Sequence, residues 1–253
     1  MRVAEYGPSR RADVADLMRR VWGERPDEAE LEWLYERNPL GPALVLLAVQ
    51  DELVIGSVAI SRQPGFAFAV HLATDPAYQG RGVFSTLQQA NEQRARDAGV
   101  PVLLTVPTRA SARILTGRLG WSRLPSLRVW ARPRFSGNVR AQRVERLGDA
   151  WLDWRFAESP RDYTLLSGDG YAVVGRRGRL GVVAATFGDL LGDACAAAHG
   201  PAVLALPPPS EHGRYLRAGF LPTPKTFTLL GKSLDGSPLP ATVPLQLGDL
   251  DFI

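Results

Sequence analysis

Apolar and polar positions follow two periodicities along the chain, and both predict regular structure. Short apolar runs predict strands, whereas apolar positions three and four residues apart predict helices. In the first half, strands are predicted over residues 2–6, 44–49, 53–60, 66–73 and 102–106, and helices over 12–22, 27–37, 86–99 and 111–121. An antiparallel hairpin is expected at 44–60, and a crossover helix makes 66–73 and 102–106 parallel. The predicted fold class is α/β (α+β mixed sheet).

The stretch from Thr74 to Ser85, with the sequence TDPAYQGRGVFS, joins a predicted strand to a predicted helix. A glycine-containing loop at this place turns backbone N–H groups toward one point, at the positive end of the helix dipole. Such a point binds anions, most often phosphate. A Walker loop would need a lysine that is absent, and a dinucleotide fingerprint would need three spaced glycines where only Gly80 and Gly82 exist.

Pro76 and the run Gln79-Gly80-Arg81-Gly82-Val83-Phe84 resemble the signature of the GNAT superfamily of acyl-CoA N-acyltransferases. That signature is a strand, a proline, Gln/Arg-x-x-Gly-x-Gly/Ala and a helix. Phe84 departs from it, because Gly or Ala is usual there, so its side chain is expected to point away from the phosphates. The segment 111–121 resembles the family's next helix, which ends in a Leu-Gly-Phe-like corner.

The resemblance implies a GNAT fold and acetyl-CoA, or another acyl-CoA, as co-substrate. It implies that the two parallel strands diverge and that the pantetheine arm lies between them along the strand edge. Leu72 and Thr74 would contact it through their backbones, and main-chain amides at residues 79–85 would hold the diphosphate. The implied cofactor-binding residues are Leu72, Thr74, Gln79, Gly80, Arg81, Gly82, Val83, Phe84 and Ser85.

The catalytic groups are less clearly marked. His71 is the only titratable residue in the strand at 66–73, and histidine suits a base near neutral pH; alternatively, it fills the strand face. The family's tyrosine acid is replaced by Thr116, and Thr108 lies near the usual asparagine position. Asp75 is interpreted as a turn residue and Tyr78 as packing beside the loop.

The second half contains a weak repeat of the first. Residues 33–39 align with 154–160, and 118–121 with 217–220, so the second copy is shorter between these anchors. A strand near 182–190 runs almost directly into a helix there, without the glycine loop. We therefore predict two tandem GNAT-like domains, an acyl-CoA-binding domain at 1–135 and a degenerate one at 136–253 that lacks the pyrophosphate loop. The proline-rich tail from Gly236 is expected to pack on the surface or to be mobile.

The composition and charge of the chain limit the kinds of partner that it is expected to bind. The chain of 253 residues has a formal net charge of +4, but its arginines are scattered, so no nucleic acid is expected. One cysteine and three separated histidines indicate neither a disulfide nor a metal site. The chain contains no apolar run of about 18 residues, so no membrane span is predicted. The chain is expected to be cytoplasmic, without a signal peptide, and a homodimer is an open alternative.

Three functions are considered. The first is acyl transfer from acyl-CoA to a primary amine of a small molecule by direct attack on the thioester. The alternative is a non-catalytic acyl-CoA-binding or regulatory module, because the tyrosine acid and a strand carboxylate are missing. A transferase that uses charged tRNA is the third. Carboxylates in the helix at 27–37 either complement the helix dipole or form a negative rim for a cationic amine.

Overall fold

The computed structural model describes residues 1–23, 26–133 and 137–250. These residues form two compact units. Unit 1 comprises Met1–Leu124 and Leu229–Leu239, and unit 2 comprises Pro125–Thr228 together with residues 240–250. The predicted boundary between residues 135 and 136 lies outside the described residues, and the chain passes into unit 2 already after Leu124.

Unit 1 is a mixed sheet with four α-helices in its described residues. Its elements are β1 (Arg2–Glu5), α1 (Arg11–Trp22), α2 (Glu28–Glu36), β2 (Leu44–Gln50), β3 (Leu53–Gln63), β4 (Phe66–Thr74), α3 (Val83–Asp97), β5 (Val102–Thr105) and α4 (Arg109–Arg118). The strand order is β1-β2-β3-β4-β5. All neighbours are antiparallel except β4 and β5, which are parallel through α3, as the hydrophobic pattern predicted.

A strand from far along the chain completes the unit 1 sheet. Residues 230–233 of β12 (Leu221–Ser233) pair antiparallel with β5. Glu92 of α3, which is 4% exposed, accepts hydrogen bonds from Trp121 Nε1 at 2.7 Å and from Lys232 Nζ at 2.5 Å. This buried ion pair fixes the returning strand, and it explains why unit 1 takes in residues near 229–239.

Unit 2 repeats the order of elements found in unit 1. Its elements are β6 (Ser122–Pro133), β7 (Gln142–Val144), α5 (Ala150–Leu152), a π-helix (Asp153–Ala157), β8 (Thr164–Gly168), β9 (Gly170–Arg177), β10 (Leu180–Gly188), α6 (Leu191–Ala197), β11 (Ala202–Ala205), α7 (His212–Arg217) and the first part of β12. Strands run in the order β6-β11-β10-β9-β8-β7, with β10 and β11 parallel. The run β8-β9-β10-α6-β11-α7-β12 thus matches β2-β3-β4-α3-β5-α4-β6.

The second anchor of the sequence repeat, 118–121 aligned with 217–220, lies at equivalent corners of the two units. Gly120 follows α4 with φ of +70°, and Gly219 follows α7 with φ of +83°. The second copy also lacks the glycine loop as predicted, because β10 ends at Gly188 and α6 begins at Leu191. Two residues cannot form a loop whose amides converge on a phosphate.

The tail differs from its prediction over its final residues. Val243, Leu245, Leu247 and Leu250 are all buried, and Leu247–Leu250 forms a 3₁₀ turn. Prolines at 238, 240 and 244 pointed to an exposed segment, whereas the alternating apolar residues between them supply a buried face. In the described part of the chain, no helix is long and apolar enough to cross a membrane.

Candidate functional site

The candidate site lies in unit 1, where β4 and β5 separate. The two strands pair only at residues 67–68 and 103–104. The Thr105 hydroxyl then donates to the Ala69 carbonyl at 2.8 Å, and β5 ends, whereas β4 continues to Thr74. A gap therefore opens along the last residues of β4, as expected from the resemblance.

A β-bulge lies in β4 beside this gap. Two residues, His71 and Leu72, lie opposite the single residue Val58 of β3. His71 has φ of +50°, in the left-handed region that costs a non-glycine residue on the order of 1 kcal/mol. The rest of the fold offsets this strain at the edge of the gap. Bulges commonly redirect backbone or side-chain groups next to a functional site.

The bulge decides which backbone groups point into the gap. Alternate residues of a strand direct their N–H and C=O groups to opposite sides. Asp75 faces β3, because its amide donates to the Ile55 carbonyl at 2.9 Å. Thr74 and Leu72 therefore face the gap, whereas an unbulged β4 would have directed His71 into it. This is the orientation that the predicted contacts of Leu72 and Thr74 require, and those contacts stay a prediction.

The loop after β4 presents unpaired amides. Gly80 and Gly82 have φ of +74° and +81°, and Gly82 is the N-cap of α3 without a side-chain cap. Within the described residues, the six amides from Gly80 to Ser85 have no hydrogen-bond acceptor, and the first helical bond joins the Thr86 amide to the Gly82 carbonyl at 3.0 Å. Exposed amides at a helix N-terminus are suited to bind a diphosphate.

Gln79 differs from the other predicted loop residues. Its amide already donates to the Pro76 carbonyl at 3.4 Å, and its side-chain Nε2 donates to the Thr74 carbonyl at 3.1 Å. Gln79 therefore ties the loop to the end of β4. The Thr74 carbonyl keeps a second lone pair for a ligand.

Asp75 supports the loop from below, as the turn interpretation predicted. Its carboxylate accepts from the Ala77 amide at 3.0 Å and from Arg20 Nε at 2.7 Å. Burial acts to raise the pKa of Asp75, but the bonds from Arg20 and Ala77 outweigh it and hold the pKa below its ordinary value. Asp75 is therefore ionised at neutral pH, and Arg20 of α1 is a loop-supporting residue that the sequence did not reveal.

Aromatic residues of the loop pack rather than react. Tyr78 and Phe84 are partly buried and pack against the hydrophobic core of unit 1, so the departure at Phe84 leaves the amides accessible. The guanidinium of Arg81 lies 5.4 Å from the Tyr78 ring centroid, a cation–π distance.

Gly56 of β3 allows the first turn of α3 to lie close to the sheet. A Cβ added there would lie 2.8 Å from Val83 Cγ1 and 3.2 Å from Leu87 Cδ1. We predict that Gly56→Ala destabilises unit 1 by about 1–3 kcal/mol and weakens acyl-CoA binding, because the first turn must move. Calorimetric titration with acetyl-CoA measures this. The double variant Gly56→Ala/Val83→Ala should recover the affinity, and an unaffected single variant would contradict this packing role.

His71 is itself buried and lies beside one aromatic residue of α1 and one of α2. Tyr35 Oη lies 3.0 Å from His71 Nδ1, and the Trp22 ring centroid lies 6.1 Å from that of the imidazole. Tyr35 is buried, and burial raises the pKa of its phenol, so it is neutral and fixes the imidazole by a hydrogen bond. Tyr35 could not be identified from the sequence, because 36 residues separate it from His71.

The other family positions have structural partners. Thr108 caps α4 by accepting from the Ser111 amide at 3.3 Å. The Thr116 hydroxyl donates to the Ala112 carbonyl at 2.9 Å. Thr116 is therefore not arranged to replace the missing tyrosine acid.

The carboxylates of α2 favour the structural interpretation. Asp27 is the N-cap and accepts from the Glu30 amide at 2.9 Å. Glu32 and Glu36 form ion pairs with Arg11 at 2.9 and 2.7 Å. These three carboxylates complement α1 and α2, so they do not form a free negative rim.

A strand with a bulge, a parallel neighbour that diverges from it, and a glycine loop at a helix N-terminus together define a GNAT-fold protein. Residues 11–121 match the family model described as Acetyltransferase (GNAT) family. This match covers 111 of the 253 residues, which is less than half of the chain. No curated protein matches the chain.

Solved structures show the same fold over most of the chain. A GCN5-related N-acetyltransferase from Kribbella flavida has 17% identity and a TM-score of 0.69, with 92% of this chain and 71% of that chain covered. A GCN5-related N-acetyltransferase from Anabaena variabilis has 12% identity and a TM-score of 0.67, with 92% and 73% covered. A tandem GNAT protein from the clavulanic acid biosynthesis pathway has 12% identity and a TM-score of 0.66, with 94% and 99% covered.

Proposed function

We propose that the protein is an acetyl- or acyl-CoA-dependent N-acyltransferase that acts on a primary amine of a small molecule. Six unpaired amides from Gly80 to Ser85, beside the gap between β4 and β5, support this proposal most strongly. A diphosphate bound there would direct the pantetheine arm along Leu72 and Thr74. A cytoplasmic location and a homodimer remain predictions from the sequence alone.

The chemistry follows from these positions. The neutral amine attacks the thioester carbonyl carbon, a C–N bond forms, and the carbonyl oxygen becomes an oxyanion. A backbone N–H of Leu72 or Thr74 would stabilise that oxyanion. The C–S bond then breaks, CoA leaves as thiolate, and the amine loses a proton. Because a CoA thiolate is not strongly basic, departure does not require the missing tyrosine.

We propose that His71 accepts the proton that the amine loses. In the tautomer whose Nδ1–H donates to Tyr35 Oη, the basic lone pair of the imidazole lies on Nε2. The strained bulge and the buried Tyr35 fix the imidazole, which favours a defined position over mere filling of the strand face. Tyr35 is a positioning residue in this scheme.

His71→Asn should reduce kcat by about 100-fold without changing the dissociation constant of acetyl-CoA. Asparagine tolerates the left-handed backbone of the bulge, so the gap and the loop persist while the proton acceptor is lost. Thiol release from acetyl-CoA with a panel of small amines measures kcat, and calorimetry measures binding. Tyr35→Phe, the control for positioning, should lower kcat by a smaller factor.

The same assay tests the proposed function itself. Thiol release with at least one amine supports the acyltransferase. Acetyl-CoA binding without release across the panel would favour the second candidate, a non-catalytic acyl-CoA-binding module, for which the absent tyrosine and strand carboxylate argue. Unchanged turnover in His71→Asn would contradict the assignment of the proton acceptor alone.

A further inference from the structure

Unit 2 contains a gap of the same construction as unit 1. β10 and β11 pair in parallel only at Gly181↔Val203 and Val182↔Leu204. β11 then ends at Ala205, whereas β10 continues to Gly188. The edge of β10 beyond this point therefore has no strand beside it on the β11 side.

The side chain of Gln246 occupies this edge. The Thr186 amide donates to Gln246 Oε1 at 2.8 Å, and Gln246 Nε2 donates to the Thr186 carbonyl at 3.1 Å. Both backbone groups of Thr186 are thus satisfied by one carboxamide, as they would be by a neighbouring strand. Thr186 lies five residues beyond the first parallel pair of β10, as Leu72 does in β4.

Hydrogen bonds and close packing hold the segment that carries Gln246. We call residues 243–250 the tail segment. The Gln246 amide donates to Asp249 Oδ2 at 2.7 Å, and the Asp249 amide donates back to the Gln246 carbonyl at 3.0 Å. The Gly248 carbonyl accepts a bond from the buried guanidinium of Arg155. A Cβ on Gly248 would lie 2.9 Å from Phe156 Cε1, so only glycine fits there.

Space remains beside the tail segment. A cavity of about 260 Å³ is lined by Val129, Leu204, Phe227 and Leu247, with Arg177 and Lys225 at its polar side. Leu204 belongs to β11 and Leu247 to the tail segment. The volume next to β11 is therefore only partly filled by the chain itself.

We propose that the edge of β10 at Thr186 is a groove for an extended ligand that carries secondary amides, and that the tail segment occupies it as an intramolecular substitute. The carboxamide of Gln246 supplies the donor and the acceptor that such a ligand would supply. The tail segment and such a ligand therefore compete for the backbone groups of Thr186. This inference concerns unit 2 alone and does not depend on the proposed function.

Pantetheine, which has two secondary amides and no diphosphate, is the probe. In ¹⁵N-labelled full-length protein, the Thr186 amide should be protected from exchange and insensitive to pantetheine. Gln246→Leu replaces the carboxamide by an apolar side chain. In this variant the Thr186 amide should exchange about tenfold faster, and pantetheine should shift its resonance. Gln142→Leu on the exposed strand β7 is the matched control and should behave as the wild type.

Three results would overturn the inference. One is unchanged Thr186 exchange in Gln246→Leu, and another is a pantetheine shift of Thr186 that is equal in the wild type. The third is a freed Thr186 amide that does not respond to pantetheine. A chain that ends at residue 242 removes the whole tail segment and should respond to pantetheine more strongly; if that chain does not fold, Gln246→Leu decides the question.

Discussion

Gly82→Val will raise the dissociation constant of acetyl-CoA by about 100-fold, which corresponds to the loss of roughly two charge-assisted hydrogen bonds. Gly82 has φ of +81°, which a β-branched residue adopts only with strain. An added Cβ would meet no protein atom within 4 Å, so the side chain would enter the open space in front of the loop amides. Isothermal titration calorimetry with acetyl-CoA measures the effect.

Gly99→Val is the matched control for backbone strain. Gly99 follows the other end of α3 with φ of +72°, and an added Cβ there also meets no protein atom within 4 Å. Both variants should lose similar amounts of folding stability, whereas Gly99→Val should bind acetyl-CoA as the wild type does. Equal affinities in the two variants would remove the loop from the binding site.

Glu92→Leu is expected to have the largest effect on stability. Removing the carboxylate leaves Lys232 and the Trp121 indole N–H without their buried acceptor. Lys232 keeps its bond to the Leu119 carbonyl at 2.6 Å, so we expect a loss near the lower limit for broken buried pairs, about 3 kcal/mol. Because Lys232 lies on β12, the loss should appear as faster hydrogen exchange of the β5 amides, by about 100-fold.

The double variant Glu92→Leu/Lys232→Met separates pairing from packing. An apolar pair of similar volume commonly replaces a buried ion pair at little cost, so the double variant should recover much of the protection of β5. If Glu92→Leu alone exchanges at the wild-type rate, the ion pair does not hold the returning strand.

The loop could be predicted from sequence because its determinants are local. The spacing of Gly80 and Gly82 after Pro76, between an apolar run and a helix-forming run, specifies a turn whose amides converge. The hairpin and the parallel strands were likewise visible as apolar runs with polar breaks. Phe84, which departs from the loop signature, packs against the core of unit 1, and its orientation relative to a bound diphosphate stays a prediction.

The remaining features depend on contacts between distant residues. The positive φ of His71 arises from the register between β3 and β4, and a histidine in an apolar run gives no sign of it. Tyr35 and Arg20 reach the site through the packing of α1 and α2. Gln246 lies in a segment whose prolines indicated exposure. None of these placements has a periodicity or a motif that a single sequence displays.

The predicted domain boundary did not include the return of β12 to unit 1, because this contact also joins distant residues. A boundary read along the chain assumes that each unit is continuous, and the sequence placed it after residue 135. In the structure, residues 229–239 belong with unit 1. Residues 230–233 of β12 pair with β5, which lies far from them in the sequence, and no local pattern in the sequence indicates this contact.

The most direct test of the central claim is a titration of ¹⁵N-labelled protein with CoA, followed at the amides of residues 80–85. We predict that these amide resonances shift together and saturate with one CoA per chain, and that Gly82→Val abolishes the shifts. Binding of CoA that leaves these amides unchanged, or shifts only resonances elsewhere in the chain, would contradict the assignment of this loop as the diphosphate site.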